Sequence, residues 1–369
     1  MTTQEKIAQL LNHADIEING SRPFDLQVLD TRLYDRVLSR GSLGFGEAYM
    51  DGWWSSGQLD QLLTKLLSSN LDKKIQPWKF IFPVVKSFVM NLQTQARSLK
   101  VGEHHYDIGN DLYHRMLGQS MVYTCGYWKD TDNLDQAQEN KLDLVCKKIN
   151  LKSGDRILDI GCGWGSFAKF AAEKYGAEVV GITISKEQKQ LAEENCAGLP
   201  VEIRLQDYRE VNEKFDHIIS LGMIEHVGYK NYRTYMQMVS RCLKDNGLFL
   251  LHTIGGNKSV TSTNAWIEKY IFPNSMLPGI KQLAKSFEGL FVMEDWHNFG
   301  IYYDKTLMAW YNNFTNNWDA IKDNYPPKFF KMWEFYLLSC AASFRCRKNQ
   351  LWQIVLSPNG VEGGYKSIR

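Results

Sequence analysis

Arg156-Ile-Leu-Asp-Ile-Gly-Cys-Gly-Trp-Gly165 decides how this chain is read. Its first five residues have the composition of a short buried strand. Glycines at 161, 163 and 165 then make a turn, and 166–175 has helical composition. Glycine tolerates positive φ and lets a ligand lie against the backbone. The helix start behind the turn offers unpaired N–H groups. A P-loop is excluded, because no Gly-Lys-Ser/Thr follows. The dinucleotide fingerprint wants a third glycine where Ser166 stands, and an acid about 20 residues on. Gly181-Ile-Thr-Ile-Ser185 holds no acid.

What remains is a strand-Asp-x-Gly-x-Gly-x-Gly turn, which resembles that of the S-adenosylmethionine (SAM) methyltransferases. Working outward, strands are expected at 155–160, 178–184, 201–205, 215–220 and 247–254, with helices at 166–175, 186–196 and 230–243. Such alternation makes a parallel doubly wound sheet that binds ligands at the carboxyl ends of its strands. A helix over 133–149 precedes it. Residues 256–345 break the alternation as an aromatic-rich, largely helical insert, and the last strands fall at 290–296 and 350–357. Residues 1–70 read as helical, with a short strand at 24–29. Arg40-Gly-Ser-Leu-Gly-Phe-Gly46 reads as a glycine-rich turn. The expected fold is therefore α/β: a Rossmann-like SAM-methyltransferase sheet over 98–369, with a smaller, mainly helical N-terminal domain over 1–97 that contacts lipid or membrane.

Bulk properties narrow the function. The 369 residues are 44% hydrophobic and 13% aromatic, which suits a large apolar cavity or an apolar substrate. A net charge of +2 makes the whole chain no polyanion binder. Seven cysteines without a C-x-x-C argue against zinc and disulfides and for a reducing cytoplasm. Met1–Leu10 is polar, unlike a signal peptide, and no apolar run approaches the ~20 residues of a transmembrane helix. Residues 73–100 carry Lys73, Lys74, Lys79, Lys86, Arg97 and Lys100 and no acid, interleaved with aromatic and aliphatic residues. Such a segment suits an anionic bilayer surface, or else a core helix with a solvated basic edge. No N-P-P-[YF] stands at the fourth strand, and nucleic acid is not an expected partner.

The motifs at strand ends build a site. Gly161, Gly163 and Gly165 are expected to admit the amino-acid and ribose parts of SAM, with Asp159 in the same turn. Thr183 ends the second strand, and Gln188 offers an amide to the ribose hydroxyls. Asp207 could accept from the adenine amino group, with Tyr208 stacking on or flanking the ring; a plain surface-turn acid is the alternative for Asp207. Glu225 and His252 end adjacent strands and point into one crevice. Two titratable groups there mean acid–base work or the holding of a small ion, or else a satisfied structural pair.

Longer motifs sharpen the resemblance. Tyr123-Thr-Cys-Gly-Tyr-Trp128, Ile224-Glu-His-Val-Gly228, Leu251-His-Thr-Ile-Gly255, Trp296-His-Asn-Phe-Gly300, Tyr303-Asp-Lys-Thr-Leu-Met-Ala-Trp310 and Gln350-Leu-Trp-Gln-Ile-Val355 resemble those of the cyclopropane fatty acid synthases, of the mycolic acid cyclopropane synthase superfamily. Gly46-Glu-Ala-Tyr-Met-Asp-Gly-Trp-Trp54 resembles their N-terminal phospholipid-enzyme domain. The resemblance implies transfer of the SAM methyl to a cis double bond of an acyl chain in a phospholipid, loss of a proton from the resulting carbocation, and ring closure. It implies a bicarbonate held by the Cys125 backbone, Glu225, His252, the Ile254 backbone and Tyr303, and adds Tyr123 and Thr124 to the cofactor set. Cys340 aligns with a cysteine sometimes given a catalytic role; a thiol near its ordinary pKa of about 8.5 is mostly protonated at neutral pH, so it reads as a packing or channel-lining residue. Trp128, Trp164, Tyr303 and Trp310 are candidate walls for the cation. The resemblance further implies a homodimer and a cytoplasmic protein that works at the inner face of the membrane, with Trp53 and Trp54 assisting residues 73–100. The alternatives are a sibling that transfers methyl without closing the ring, or to an amine, and a lipid-binding module without activity.

Overall fold

The computed structural model describes residues 3–69 and 109–369. The basic segment 73–100 and the boundary at 97/98 lie outside the described residues. The chain forms two compact units, neither continuous in sequence. The first combines 3–69 with Ser262–Pro273 and Tyr303–Asn349; the second combines 109–261 with Asn274–Tyr302 and Gln350–Arg369. The insert is thus shared out rather than attached whole to the catalytic domain. Its aromatic helices supply apolar faces that the short N-terminal helices need for a core of their own.

In the first unit, strands β1 (Gln27–Val28) and β2 (Trp54–Ser55) pair antiparallel. The expected turn at 40–46 contracts to Gly41, which takes φ 56° and ψ −133° and breaks the span Arg32–Met50 into two helical stretches. Gly46 remains helical because a Cβ there would lie 2.5 Å from the Trp266 ring. Glycine here permits two helices to touch, so composition alone overstated the turn. Trp54 also departs from expectation. It is wholly buried, stacked on Phe45 at 4.2 Å, and donates its indole N–H to the Phe45 carbonyl at 2.9 Å. A side chain so enclosed cannot meet a membrane. Trp53 lies under the guanidinium of Arg36, 3.5 Å from the ring centroid.

The second unit holds a seven-stranded sheet. Its strands are β3 (Arg156–Ile160), β4 (Glu178–Thr183), β5 (Val201–Leu205), β6 (Phe215–Leu221), β7 (Leu243–Gly256), β8 (Val292–Asn298) and β9 (Asn349–Ser357), in the spatial order β5-β4-β3-β6-β7-β9-β8. β3 to β7 run parallel, and β8 pairs antiparallel with β9. The central strands are apolar on both faces, as a sheet covered by helices on both sides requires. Helices Ser166–Tyr175, Lys186–Asn195 and Tyr232–Cys242 connect them, within a few residues of the expected bounds. Strand order reverses between β3 and β6, and the crevice outside their carboxyl ends is where such folds take ligands. Among the described residues no helix is long and apolar enough to cross a membrane.

Candidate active site

Three segments meet at the switch point. The glycine turn follows β3. A Cβ on Gly161 would lie 2.9 Å from Met223, in the turn after β6. A Cβ on Gly222, in that same turn, would lie 2.8 Å from the Thr124 side chain. The Tyr123–Cys125 segment, the glycine turn and the Gly222–Glu225 turn are therefore in contact. The three glycines differ in purpose. Gly161 and Gly165 make room for protein, the latter for Cys196, whereas Gly163 has φ +55° and nothing within 4 Å of where a Cβ would stand. Gly163 is the place where a ligand can approach the backbone.

The cofactor candidates divide. Asp159 is buried and its Oδ2 has no partner; burial pushes its pKa up to about 7, against the pull of Lys141. Thr183 donates its hydroxyl to Gln188 Oε1 at 2.9 Å. That contact fixes the Gln188 amide so that its N–H groups remain for a ribose. Asp207 is engaged locally, accepting from the Arg209 backbone at 2.9 Å and its guanidinium at 2.8 Å. Tyr208 is buried like Thr183, Gln188 and Asp207, and packs edge-on to Tyr235 at 5.1 Å with Arg209 over its ring. Tyr123 stands edge-on to Tyr113, whose ring is 5.0 Å from Trp164.

Glu225 lies in the short turn Ile224–His226 after β6, and His252 lies in β7 opposite Leu221. Glu225 Oε1 accepts from the Ile254 N–H at 2.8 Å, while Oε2 is buried without a partner. Burial is the main cause that pushes its carboxyl up to about 7. His252 is 1% exposed, its Nδ1 is 3.3 Å from Gln353 Nε2, and its Nε2 is buried without a partner. Burial, aided by Lys141 and Lys148, holds its pKa well below the usual value, so the imidazole is neutral. An unmet buried polar atom costs roughly 1–3 kcal/mol, and here two titratable side chains from neighbouring segments each carry one. The Ile254 amide is already engaged, and its carbonyl accepts from the Thr253 hydroxyl at 2.9 Å, which leaves that oxygen's second lone pair for a further ligand. Cys125 is wholly buried.

Tyr303 and Cys340 belong to the first unit. Tyr303 packs against Phe344 at 4.6 Å and edge-on to Trp310 at 5.9 Å. Cys340 lies in the helix Phe329–Arg345, and burial pushes its thiol up to about 12. Such a thiol is no base at neutral pH.

Lys141, Gln138 and Gln353 were not anticipated. On the helix Leu134–Lys148, Lys141 is wholly buried and donates to the Thr124 hydroxyl at 3.0 Å. Gln138 donates to the Thr124 carbonyl at 2.8 Å. Both hold the Tyr123–Cys125 segment in place. Burial lowers the Lys141 pKa to about 7, Cys125 and Asp159 opposing. The signal was available: polar residues at 138, 141 and 148 recur at the helical spacing of an inward face.

The family model for mycolic acid cyclopropane synthetase matches residues 93–354. The chain belongs to that family. It is 51% identical over 362 residues to the cyclopropane-fatty-acyl-phospholipid synthase of Escherichia coli strain K12, covering 98% of this chain and 94% of that protein. The structure resembles the cyclopropane synthase MmaA2 of Mycobacterium tuberculosis, with TM-score 0.66 and 25% identity over 70% of this chain and 97% of that one. It resembles equally the mycolic acid cyclopropane synthase CmaA1 complexed with SAH and CTAB, with TM-score 0.66 and 28% identity over the same shares. This membership makes the chain a SAM-dependent methyltransferase.

Proposed function

We propose that this chain is a cyclopropane-fatty-acyl-phospholipid synthase, which adds a methylene from the SAM methyl across a cis double bond of a phospholipid acyl chain. The observation that carries this reading is the pair of bare, buried atoms, Glu225 Oε2 and His252 Nε2, at the ends of adjacent strands beside the glycine turn. SAM, when bound, supplies an electrophilic methyl group. The residues present fit it: Gly163 leaves the turn open, Asp159 Oδ2 lacks a partner, and the Gln188 amide is oriented. An alkene is a weak nucleophile, so what the protein must contribute is alignment at near-attack distance. It must also exclude water, which would trap a carbocation as an alcohol.

Glu225 and His252 have the remaining task, the handling of the proton that leaves before the ring closes. A small anion fits them. A neutral imidazole can donate one hydrogen bond, and a carboxyl poised near 7 can donate or accept another. Bicarbonate is the anion proposed, held by these two side chains with the Cys125 backbone and the Ile254 carbonyl, and it would supply a base. Tyr303 enters on its sequence match. Cys340 stays outside the chemistry. We place the enzyme at the inner face of the cytoplasmic membrane, as a homodimer, with the basic segment 73–100 as its electrostatic contact. Vesicle binding unchanged on neutralising Lys73, Lys74, Lys79 and Lys86 together would remove that last element.

The direct test is incubation with SAM and vesicles of phospholipid bearing monounsaturated chains, followed by mass spectrometry and proton NMR of the recovered fatty acids. A gain of one CH₂ with high-field ring protons is expected. A gain of CH₂ without ring protons would make the enzyme a methyl-transferring sibling, and no change despite SAM binding would point to another acceptor.

A further inference from the structure

The geometry points to Gln353 as a positioning residue that sets the tautomer of His252 and so decides which hydrogen-bonding character His252 shows to the crevice. Nothing in the reaction as proposed requires Gln353 to touch substrate. It lies in β9, next to β7 in the sheet, at the level of His297 in β8. It is wholly buried in a strand of otherwise mainly apolar residues, where an isolated amide needs a reason.

The reason is its contact with the imidazole. Gln353 Nε2 is 3.3 Å from His252 Nδ1. An amide N–H can only donate, so Nδ1 must accept, and in a neutral ring the proton then resides on Nε2. His252 therefore offers an N–H donor to the crevice, where Glu225 offers a bare oxygen. As the amide stands, its nitrogen faces the ring and Gln353 Oε1 is turned away without a partner. The outcome is a ring N–H donor from β7 and a carboxyl oxygen from the turn after β6, a combination suited to an ion that carries both O⁻ and O–H. This inference rests on the proposed reaction only for its effect on rate; the tautomer itself does not.

The test uses the full chain with ¹⁵N-labelled histidine. The ring nitrogens of His252, assigned by its absence in His252→Gln, should show a protonated Nε2 and a bare Nδ1 at pH 7. Gln353→Glu replaces the donor with an acceptor and should move the proton to Nδ1. Its kcat should fall roughly 10- to 100-fold, the usual scale for a residue that orients a functional imidazole, with KM for SAM unchanged. Gln353→Met, which fills the space without a donor, should fall between the two. A protonated Nδ1 in the unaltered protein would overturn the proposal even if neither variant folds. So would full kcat in Gln353→Glu with the tautomer changed. A tautomer that follows residue 353 in a protein that forms no cyclopropane would uphold the assignment and sink the proposed reaction instead.

Discussion

Gly161, Gly163 and Gly165 follow a strand, and all three take positive φ; Gly41, Gly44 and Gly46 lie along one helical span, and of these only Gly41 does. The two regions treat buried carboxylates just as differently. Glu47, in the first unit, is held by Arg40 at 2.8 Å, Lys269 at 2.5 Å and the Tyr270 hydroxyl at 3.0 Å. Burial raises its pKa, but these partners outweigh that and hold it below the ordinary value. Glu225, in the second unit, has one oxygen bound and one bare, and is pushed up instead. In the first unit polar and glycine residues complete a packed structure. In the second, several buried polar atoms stay unmet, and Asp159 Oδ2, Glu225 Oε2 and His252 Nε2 are the carboxyl and imidazole atoms among them. An unfinished hydrogen-bond inventory beside an open turn marks where chemistry is meant to occur.

The contrast can be broken at its strongest point, the glycines. Gly163→Ala should fold, with only the modest strain of a small side chain at φ +55°, yet bind S-adenosylhomocysteine weakly, by roughly 10- to 100-fold, the equivalent of about 1–3 kcal/mol of overpacking against a ligand. Calorimetric binding within a factor of three of the unaltered protein would show that no ligand approaches there. Gly46→Val should do the opposite. It should lower stability by about 1–3 kcal/mol through a clash with Trp266, and a melting curve without a shift would contradict the close contact of those helices.

The carboxylates sharpen the contrast through sign. Glu225 holds its proton in the folded state up to about pH 7, against an ordinary value of 4.5. Between those limits the folded state binds the extra proton, so stability falls as pH rises through the window. Glu225→Gln should therefore stabilise the ligand-free protein at pH 8, by on the order of 1–3 kcal/mol. Glu47 is depressed, so its contribution is present above about 4.5 and is lost as pH falls through its lowered value. Glu47→Gln should destabilise at pH 8. Melting temperatures that move in the same direction for both variants would erase the distinction. The smallest effect is expected at Cys340→Ser, where a thiol pushed up to about 12 performs no proton transfer. A loss of turnover beyond about 100-fold, the scale of a removed acid–base group, with stability intact, would refute that.

The sequence made the second unit legible because its signals are local and periodic. Each strand–turn–helix of the parallel sheet announces itself within a dozen residues, and Glu225 and His252 fall at strand ends by counting. The first unit was harder to read because its contacts join distant segments. The Trp266 ring that forces glycine at 46, and the Lys269 and Tyr270 that pair with Glu47, lie more than 200 residues away. Nothing near Arg40–Gly46 distinguishes a turn from a tightly packed helix. Tyr208 depends on a distant segment too, since Tyr235, which packs against it, comes from another helix. Lys141 and Gln353 show polar residues inside otherwise buried elements, a signal that spacing supplies only when the polar exceptions are weighed as carefully as the apolar rule.

The account turns on the bare pair at the ends of β6 and β7, and turnover of Glu225→Gln on SAM and unsaturated phospholipid vesicles tests it most directly. Binding of S-adenosylhomocysteine should stay as in the unaltered protein, while cyclopropane formation falls by about 100-fold or more, the least that removal of an acid–base group brings. Undiminished ring formation by a folded, cofactor-binding Glu225→Gln would contradict the assignment of the reaction to this pair.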